Sequence, residues 1–154
     1  VGYLLVVTAL HLDRQLCFAL YSASRATTAA YRPLLDQLGL TYPQYLVLLV
    51  LWEDERVTVR RLGERLHLDS GTLSPLLKRL EAIGFVQRQR SVADERSVEV
   101  TLTESGRELE SQALCIPENL FGASGLTVDE IENLRDAVQR LTHVLRDAGT
   151  SADS

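Results

Sequence analysis

The chain has 154 residues, 45% of them hydrophobic, and a net charge of −5 at neutral pH. That is enough for one domain with a sizeable core, and it excludes a low-hydrophobicity disordered chain. The longest apolar run near the start, VGYLLVVTAL, is about half a membrane span and has neither a basic lead nor a cleavage-like segment, so the chain reads as cytosolic with no membrane partner.

The chain begins at Val1 and contains no methionine, as an alternative start codon translated literally would give, with Val7 an equal candidate. Residues 1–9 therefore carry little of the reading. From about Leu10, apolar residues Leu12, Leu16, Leu20, Ala23, Ala30 and Leu34 recur at near-helical spacing, and Pro33 is expected to bend or interrupt the helix near its end. In TYPQYLVLLVLWE, Thr41 and Gln44 have capping-box spacing ahead of an almost continuous apolar run, which predicts a helix buried nearly all round.

TVRRLGERLHL offers Thr58 as an N-cap and Val59, Leu62 and Leu66 as an inner face. A second short helix starts near Asp69 or Ser70, turns Leu73, Leu76, Leu77, Leu80 and Ile83 inward, and stops at Gly84. Its other side carries Ser70, Thr72, Ser74, Lys78 and Arg79; Pro75 removes one backbone bond, early enough to be tolerated. FVQRQR and SVEVTLT are strand-like, the second alternating Val98, Val100 and Leu102 against polar residues, so SVADERS is the tip of a basic hairpin. TESGRELESQALCIPENL returns to helix until Pro117. LTVDEIENLRDAVQRLTHVLRD opens on a second capping box, Thr127 with Glu130, and steps through Ile131, Leu134, Val138, Leu141 and Leu145 as a helix-packing face. The tail GTSADS is expected to fray.

Charge is unevenly spread. From Arg56 to Arg107 there are ten Lys or Arg against seven Asp or Glu, whereas the rest of the chain has six against fourteen. The basic surplus thus coincides with a helix, a short helix, a recognition-like helix and a basic hairpin, the order of a winged helix-turn-helix. Hydroxyls and cations on an exposed helix face suit the major groove, and Arg88, Arg90 and Arg96 on the hairpin suit the phosphate backbone or the adjacent minor groove. Any one of these cations alone would be an ordinary solvated residue; the ordered set favours double-stranded DNA as a partner.

Two cysteines in a cytosolic chain argue against a static structural disulfide and leave either inert thiols or a redox pair. Taken alone, Cys17 is a small packing residue. His11, His67 and His143 share no metal-ligand spacing with the cysteines, and no metal or cofactor is implied. Trp52 is most simply core.

The stretch LDSGTLSPLLKRLEAIGFVQRQRSVADERSVEVTLTESGRE resembles the core of the MarR family of bacterial transcription regulators, including the Asp-x-Arg of the wing at Asp94 and Arg96 and the LTESG that ends it. The resemblance implies a mainly α fold with a small β-hairpin wing across 1–154, in which 10–40 and 104–148 form dimerisation helices and 42–103 the DNA-binding winged helix. It implies a homodimer on a palindromic operator, with Asp94 holding Arg96 by a charge-assisted hydrogen bond. Within that family, LCFALYSASRATTAAYRPLLDQLGLTYPQYLVLLVLWE is similar to the organic hydroperoxide resistance regulators, through an N-terminal cysteine followed by tyrosines: Cys17, then Tyr31 and Tyr42. Cys115 is similar to the second cysteine of their two-cysteine branch.

A peroxide sensor needs a thiolate, and tyrosine hydroxyls stabilise one by donating hydrogen bonds without adding a cation. On a straight helix Cys17 and Tyr31 stand roughly 21 Å apart, beyond any hydrogen bond. The resemblance implies that Tyr31 and Tyr42 reach Cys17 across a two-fold dimer, while Tyr21, four residues on, assists from the same chain. Oxidation of Cys17 by an organic hydroperoxide gives a sulfenic acid, which Cys115 of the partner subunit would resolve as a disulfide. The expectation is a redox-sensing repressor, not an enzyme. Its rivals are a MarR-type regulator released by a small aromatic ligand and a thiol peroxidase, which has no need of a wing.

Overall fold

A computed structural model describes residues 11–122 and 124–150. The N-terminal apolar run with its start at Val1 or Val7, the helix onset at Leu10 and the last four tail residues lie outside the described residues. One compact unit ends at Ile116 and a second begins at Pro117. No described helix is long and apolar enough to cross a membrane.

The first long helix, α1 (Leu16–Asp36), starts later than its apolar spacing predicts. A separate 3-10 turn, Leu12–Arg14, precedes it, and Gln15 is extended between them. Apolar spacing is nearly the same for a 3-10 turn and an α-turn, so the periodicity runs across this break. At the other end the helix continues through Pro33 to Asp36. The apolar residues of the turn and the helix are unevenly used: Tyr31 and Leu35 are buried, while Leu12 and Leu16 are each 59% exposed.

Helix α2 (Tyr42–Asp54) is central, as the continuous apolar run predicts, with Val47, Leu48 and Leu51 fully buried. Gln44 Oε1 accepts from the Thr41 backbone N–H at 2.8 Å, fixing the entry to the helix. Around it pack α1, α3 (Val59–Leu66), α4 (Ser70–Ala82) and α5 (Glu104–Ala113). Thr58 caps α3 by accepting from Arg61 N, and Asp69 caps α4 by accepting from Thr72 N at 2.8 Å.

The sheet has three antiparallel strands in the order β1-β3-β2: β1 (Arg56–Thr58), β2 (Val86–Arg90) and β3 (Val98–Leu102). Strand β1 is too short to leave a period-two signal, and pairing alone reveals it, with Val57 opposite Val100. Val57, Val86, Val100 and Leu102 point into the core, whereas Val98, expected on the same face, is 38% exposed toward the tip.

Two inward assignments on α4 shift. Leu73, Leu77 and Leu80 are buried and Leu76 is half-buried, but Ile83 is 48% exposed. The cause is local: Ile83 is the C-cap, and Gly84, at φ +86°, turns the chain off the helix axis before that side chain can reach the core.

Helix α5 ends at Ala113 rather than running to Pro117. A turn at Leu114 and Cys115 separates it from α6 (Ile116–Phe121), which takes Pro117 in its first turn, where a missing N–H costs nothing. In the second unit, α7 (Val128–Thr150) opens on the expected capping box, Thr127 N donating to Glu130 Oε2 at 2.8 Å. Gly149 and Thr150, expected to fray, continue the helix. Of its apolar stripe, Ile131, Val138 and Leu141 are half-buried, while Leu134 and Leu145 are 59% and 61% exposed.

Candidate redox site and nucleic-acid interface

Cys17 is the second residue of α1 and Cys115 lies in the turn after α5; both thiols are free and exposed. The Cys115 Sγ lies 3.6 Å from the Gln112 carbonyl, a weak bond within the turn. Tyr21, one turn along α1 from Cys17, is also exposed, and its hydroxyl accepts from Arg25 Nη1 at 2.9 Å. Thus one face at the start of α1 presents a thiol, a phenol and a guanidinium to solvent.

The other two tyrosines gather elsewhere. Tyr31 near the end of α1 and Tyr42 at the start of α2 stack with ring centroids 4.7 Å apart, because the short Leu38–Leu40 connection folds α2 back beside α1. Tyr45, one turn further along α2, closes the group at 5.8 Å from Tyr31 and itself meets Trp52 edge-on. Sequence reasoning missed Tyr45, although its i+3 spacing from Tyr42 was a usable signal. Burial first, and then the neighbouring phenols Tyr42 and Tyr45, push the Tyr31 hydroxyl up to about 12. Burial also raises Tyr42 and Tyr45 above the ordinary tyrosine value. All three rings therefore stay neutral O–H donors at physiological pH.

Because α1 is one continuous helix between the two positions, Cys17 stands roughly 21 Å along it from Tyr31 of the same chain. The structure brings Tyr31 and Tyr42 together and places Tyr21 with Cys17. It does not join the two groups within one chain.

Helix α4 presents Ser70, Thr72, Ser74, Lys78 and Arg79 to solvent, opposite its buried leucines. The Thr72 hydroxyl donates to Asp69 Oδ2 at 3.1 Å, so its free capacity is as an acceptor. Among the described residues Lys78, Arg79, Arg90 and Arg96 enter no ion pair, which leaves four cations along α4 and the wing available to phosphate. Arg88 differs: its Nε and Nη2 donate to Glu81 Oε2 at 3.0 and 2.6 Å, and its backbone N–H to Glu81 Oε1. Glu81 was not expected to take part.

At the wing tip the Asp94 carboxylate accepts from the Arg96 backbone N–H at 3.0 Å, and Ser97 N and Oγ bond the Asp94 carbonyl. Asp94 thus shapes the tight turn through the main chain, and the Arg96 guanidinium stays outside that bond. Below the tip, Ser91, only 5% exposed, donates from Oγ to Glu99 Oε1 at 2.8 Å, closing the neck of the hairpin.

Residues 29–112 match a family described as transcriptional regulator SarA/Rot. The organic hydroperoxide resistance transcriptional regulator of Bacillus subtilis (strain 168) is 50% identical over 134 residues, 87% of this chain and 91% of that one. Among solved structures, reduced AbfR bound to DNA is 37% identical with a TM-score of 0.74, covering 89% of this chain and 94% of that one. Disulfide-formed AbfR is 39% identical with a TM-score of 0.60, covering 85% and 92%. A mutant of MarR from E. coli, complexed with operator DNA, is 25% identical with a TM-score of 0.72, covering 80% and 90%. These relatives are transcriptional regulators rather than enzymes, and they share both the winged-helix order and the mainly helical frame described above. The chain belongs to the MarR-type winged-helix transcriptional regulators, in the group of the organic hydroperoxide resistance regulators.

Proposed function

We propose that this regulator is a homodimeric repressor that holds a palindromic operator when reduced and leaves it when an organic hydroperoxide oxidises Cys17. The observation that carries the reading is the division of the redox site along α1: an exposed thiol near one end, and neutral tyrosine donors clustered roughly 21 Å away at the other. Two copies running antiparallel along α1 would bring Tyr31 and Tyr42 of one to Cys17 of the other. The exposed apolar residues Leu12 of the preceding turn, Leu16 and Phe18 of α1, and Leu134, Val144 and Leu145 of α7 supply surface for such an interface. Residues 10–40 and 104–148 then form the dimer, and residues 42–103 carry the DNA contacts.

In the proposed step the Cys17 thiolate attacks one peroxide oxygen: an S–O bond forms, the O–O bond breaks, and the alcohol leaves with a proton, giving the sulfenic acid. The Cys115 thiol of the partner subunit then displaces water to form the disulfide. Disulfide geometry needs Cα atoms within about 7 Å, so if the two thiols of the reduced dimer start farther apart than that, the helices must shift to admit the bond, and the spacing of the two α4 helices shifts with them. Ser70, Thr72, Ser74, Lys78 and Arg79 face the major groove, while Arg90 and Arg96 serve the backbone.

The reading is supported by the name of the Bacillus subtilis relative and by the reduced DNA-bound and disulfide-formed AbfR structures. Replacing Cys17 by serine tests it: C17S is expected to stay on DNA after one equivalent of organic hydroperoxide that releases the parent protein. Release of C17S would remove the thiol from the mechanism. Mass spectrometry of the parent under non-reducing conditions is expected to show a Cys17–Cys115 link between subunits.

A further inference from the structure

Glu81 sits in the last turn of α4, where the carbonyl end of the helix disfavours a carboxylate. Its two oxygens are nevertheless fully engaged, Oε1 by the Arg88 backbone N–H at 3.1 Å and Oε2 by Arg88 Nε and Nη2 at 3.0 and 2.6 Å. Arg88 stands in the middle of β2, directly opposite Val100 of β3, so this contact ties α4 to the strand that carries the wing. The Ile83–Phe85 turn also joins the two, with Gly84 at positive φ and the Phe85 N–H donating to the Leu80 carbonyl at 3.0 Å.

We infer that Glu81 and Arg88 form a clamp that sets the angle between the recognition helix and the wing, making both positioning residues for DNA recognition. Arg88 is then not a phosphate ligand, despite lying between the cations of α4 and Arg90. A guanidinium held by its hydrogen bonds to one carboxylate would have to abandon them to reach phosphate, leaving Glu81 unpaired beside a polyanion. With the clamp closed, Arg90 and Arg96 arrive at the backbone in fixed register with Lys78 and Arg79.

The inference rests on the DNA-binding reading, and the two separate by sign. Removing an acid near DNA strengthens binding by simple electrostatics, whereas breaking a clamp weakens it. The test uses Glu81→Ala, Arg88→Ala, the double variant and Arg90→Ala, all confirmed folded by circular dichroism. The probe is a palindromic duplex selected by the parent protein from a randomised pool. E81A and R88A are each expected to weaken binding about tenfold, and the double variant no further, because the two act as one unit. Their salt slopes should match the parent's, while R90A lowers its slope by about one. Hydroxyl-radical protection should fade at the operator edges under the wing and persist in the major groove under α4.

If E81A bound as well as the parent or better, while R88A lost a unit of salt slope, Arg88 would be a phosphate contact and the clamp would be overturned. A parent protein with no salt dependence would overturn the DNA reading and the clamp with it.

Discussion

Burial, more than any other influence, fixes the protonation of the three clustered tyrosines, and the consequence can be measured without any oxidant. The Tyr31 hydroxyl is pushed up from 10.0 to about 12, so the folded chain holds that proton where the unfolded chain has lost it. Its contribution to stability is therefore complete below pH 10 and disappears as pH rises from 10 through about 12. Denaturant titrations across that window should show the parent losing stability more steeply than Y31F, whose stability curve lacks this proton. The same hydroxyl is expected to speed Cys17 chemistry. Y31F and Y42F should form sulfenic acid about tenfold more slowly, on the scale of one hydrogen bond to a charged group, as measured by trapping the sulfenic acid with a dimedone-type reagent. Asp69 titrates in the opposite sense: the Thr72 backbone N–H, then its hydroxyl, hold the carboxyl below its ordinary value. Its cap on α4 is present above the ordinary carboxylate range and is lost as pH falls through the lowered value. The α4 amides should accordingly exchange faster in D69A at neutral pH.

At the level of elements, the junction between wing and helices depends on one close approach. A Cβ on Gly106 would overlap the Phe85 carbonyl oxygen, a backbone atom that cannot rotate aside as a side chain would. The Gly106 carbonyl also accepts from Trp52 Nε1 at 2.9 Å, so the same residue docks α5 on α2. Gly106→Ala should therefore destabilise the chain by about 1–3 kcal/mol, the usual cost of forcing an extra methyl into a packed site. Chemical denaturation gives the value, and an unchanged midpoint would mean that α5 can slide away from Phe85. The glycine of LTESG thus has a steric reason that composition does not reveal. The caps at Thr58 and Thr127 were legible because capping is a local pattern of three or four residues. The 3-10 turn before α1, the three-residue β1 and the break at Leu114 were not, since each is shorter than the window over which hydrophobic period can be counted.

For the whole molecule, the separation of Cys17 from its tyrosines makes a prediction that a site within one chain does not share. A C17S subunit keeps Tyr31 and Tyr42 but lacks the sensing thiol, and a Y31F/Y42F subunit keeps Cys17 but lacks those two donors. If the proposed site spans two copies, refolding these two variants together yields heterodimers with one intact site each. Peroxide oxidation should then show a fast phase absent from either variant alone. A mixture no faster than the Y31F/Y42F protein would confine the chemistry to one chain.

Local pattern determined much of this protein: which segments are helical, where they are capped, which face of α4 carries hydroxyls and cations, and that Cys17 lies too far along one helix from Tyr31 to touch it. Those properties depend on residues a few positions apart, and helical rise converts them directly into distance. Tertiary structure decided what long-range proximity decides. It put Tyr45 against Tyr31, paired β1 with β3, and placed the Gly106 α-carbon against Phe85. It also turned Arg88 from one more wing cation into the partner of Glu81, because a guanidinium goes to the nearest well-placed carboxylate and only the turn at Gly84 brings that carboxylate within reach.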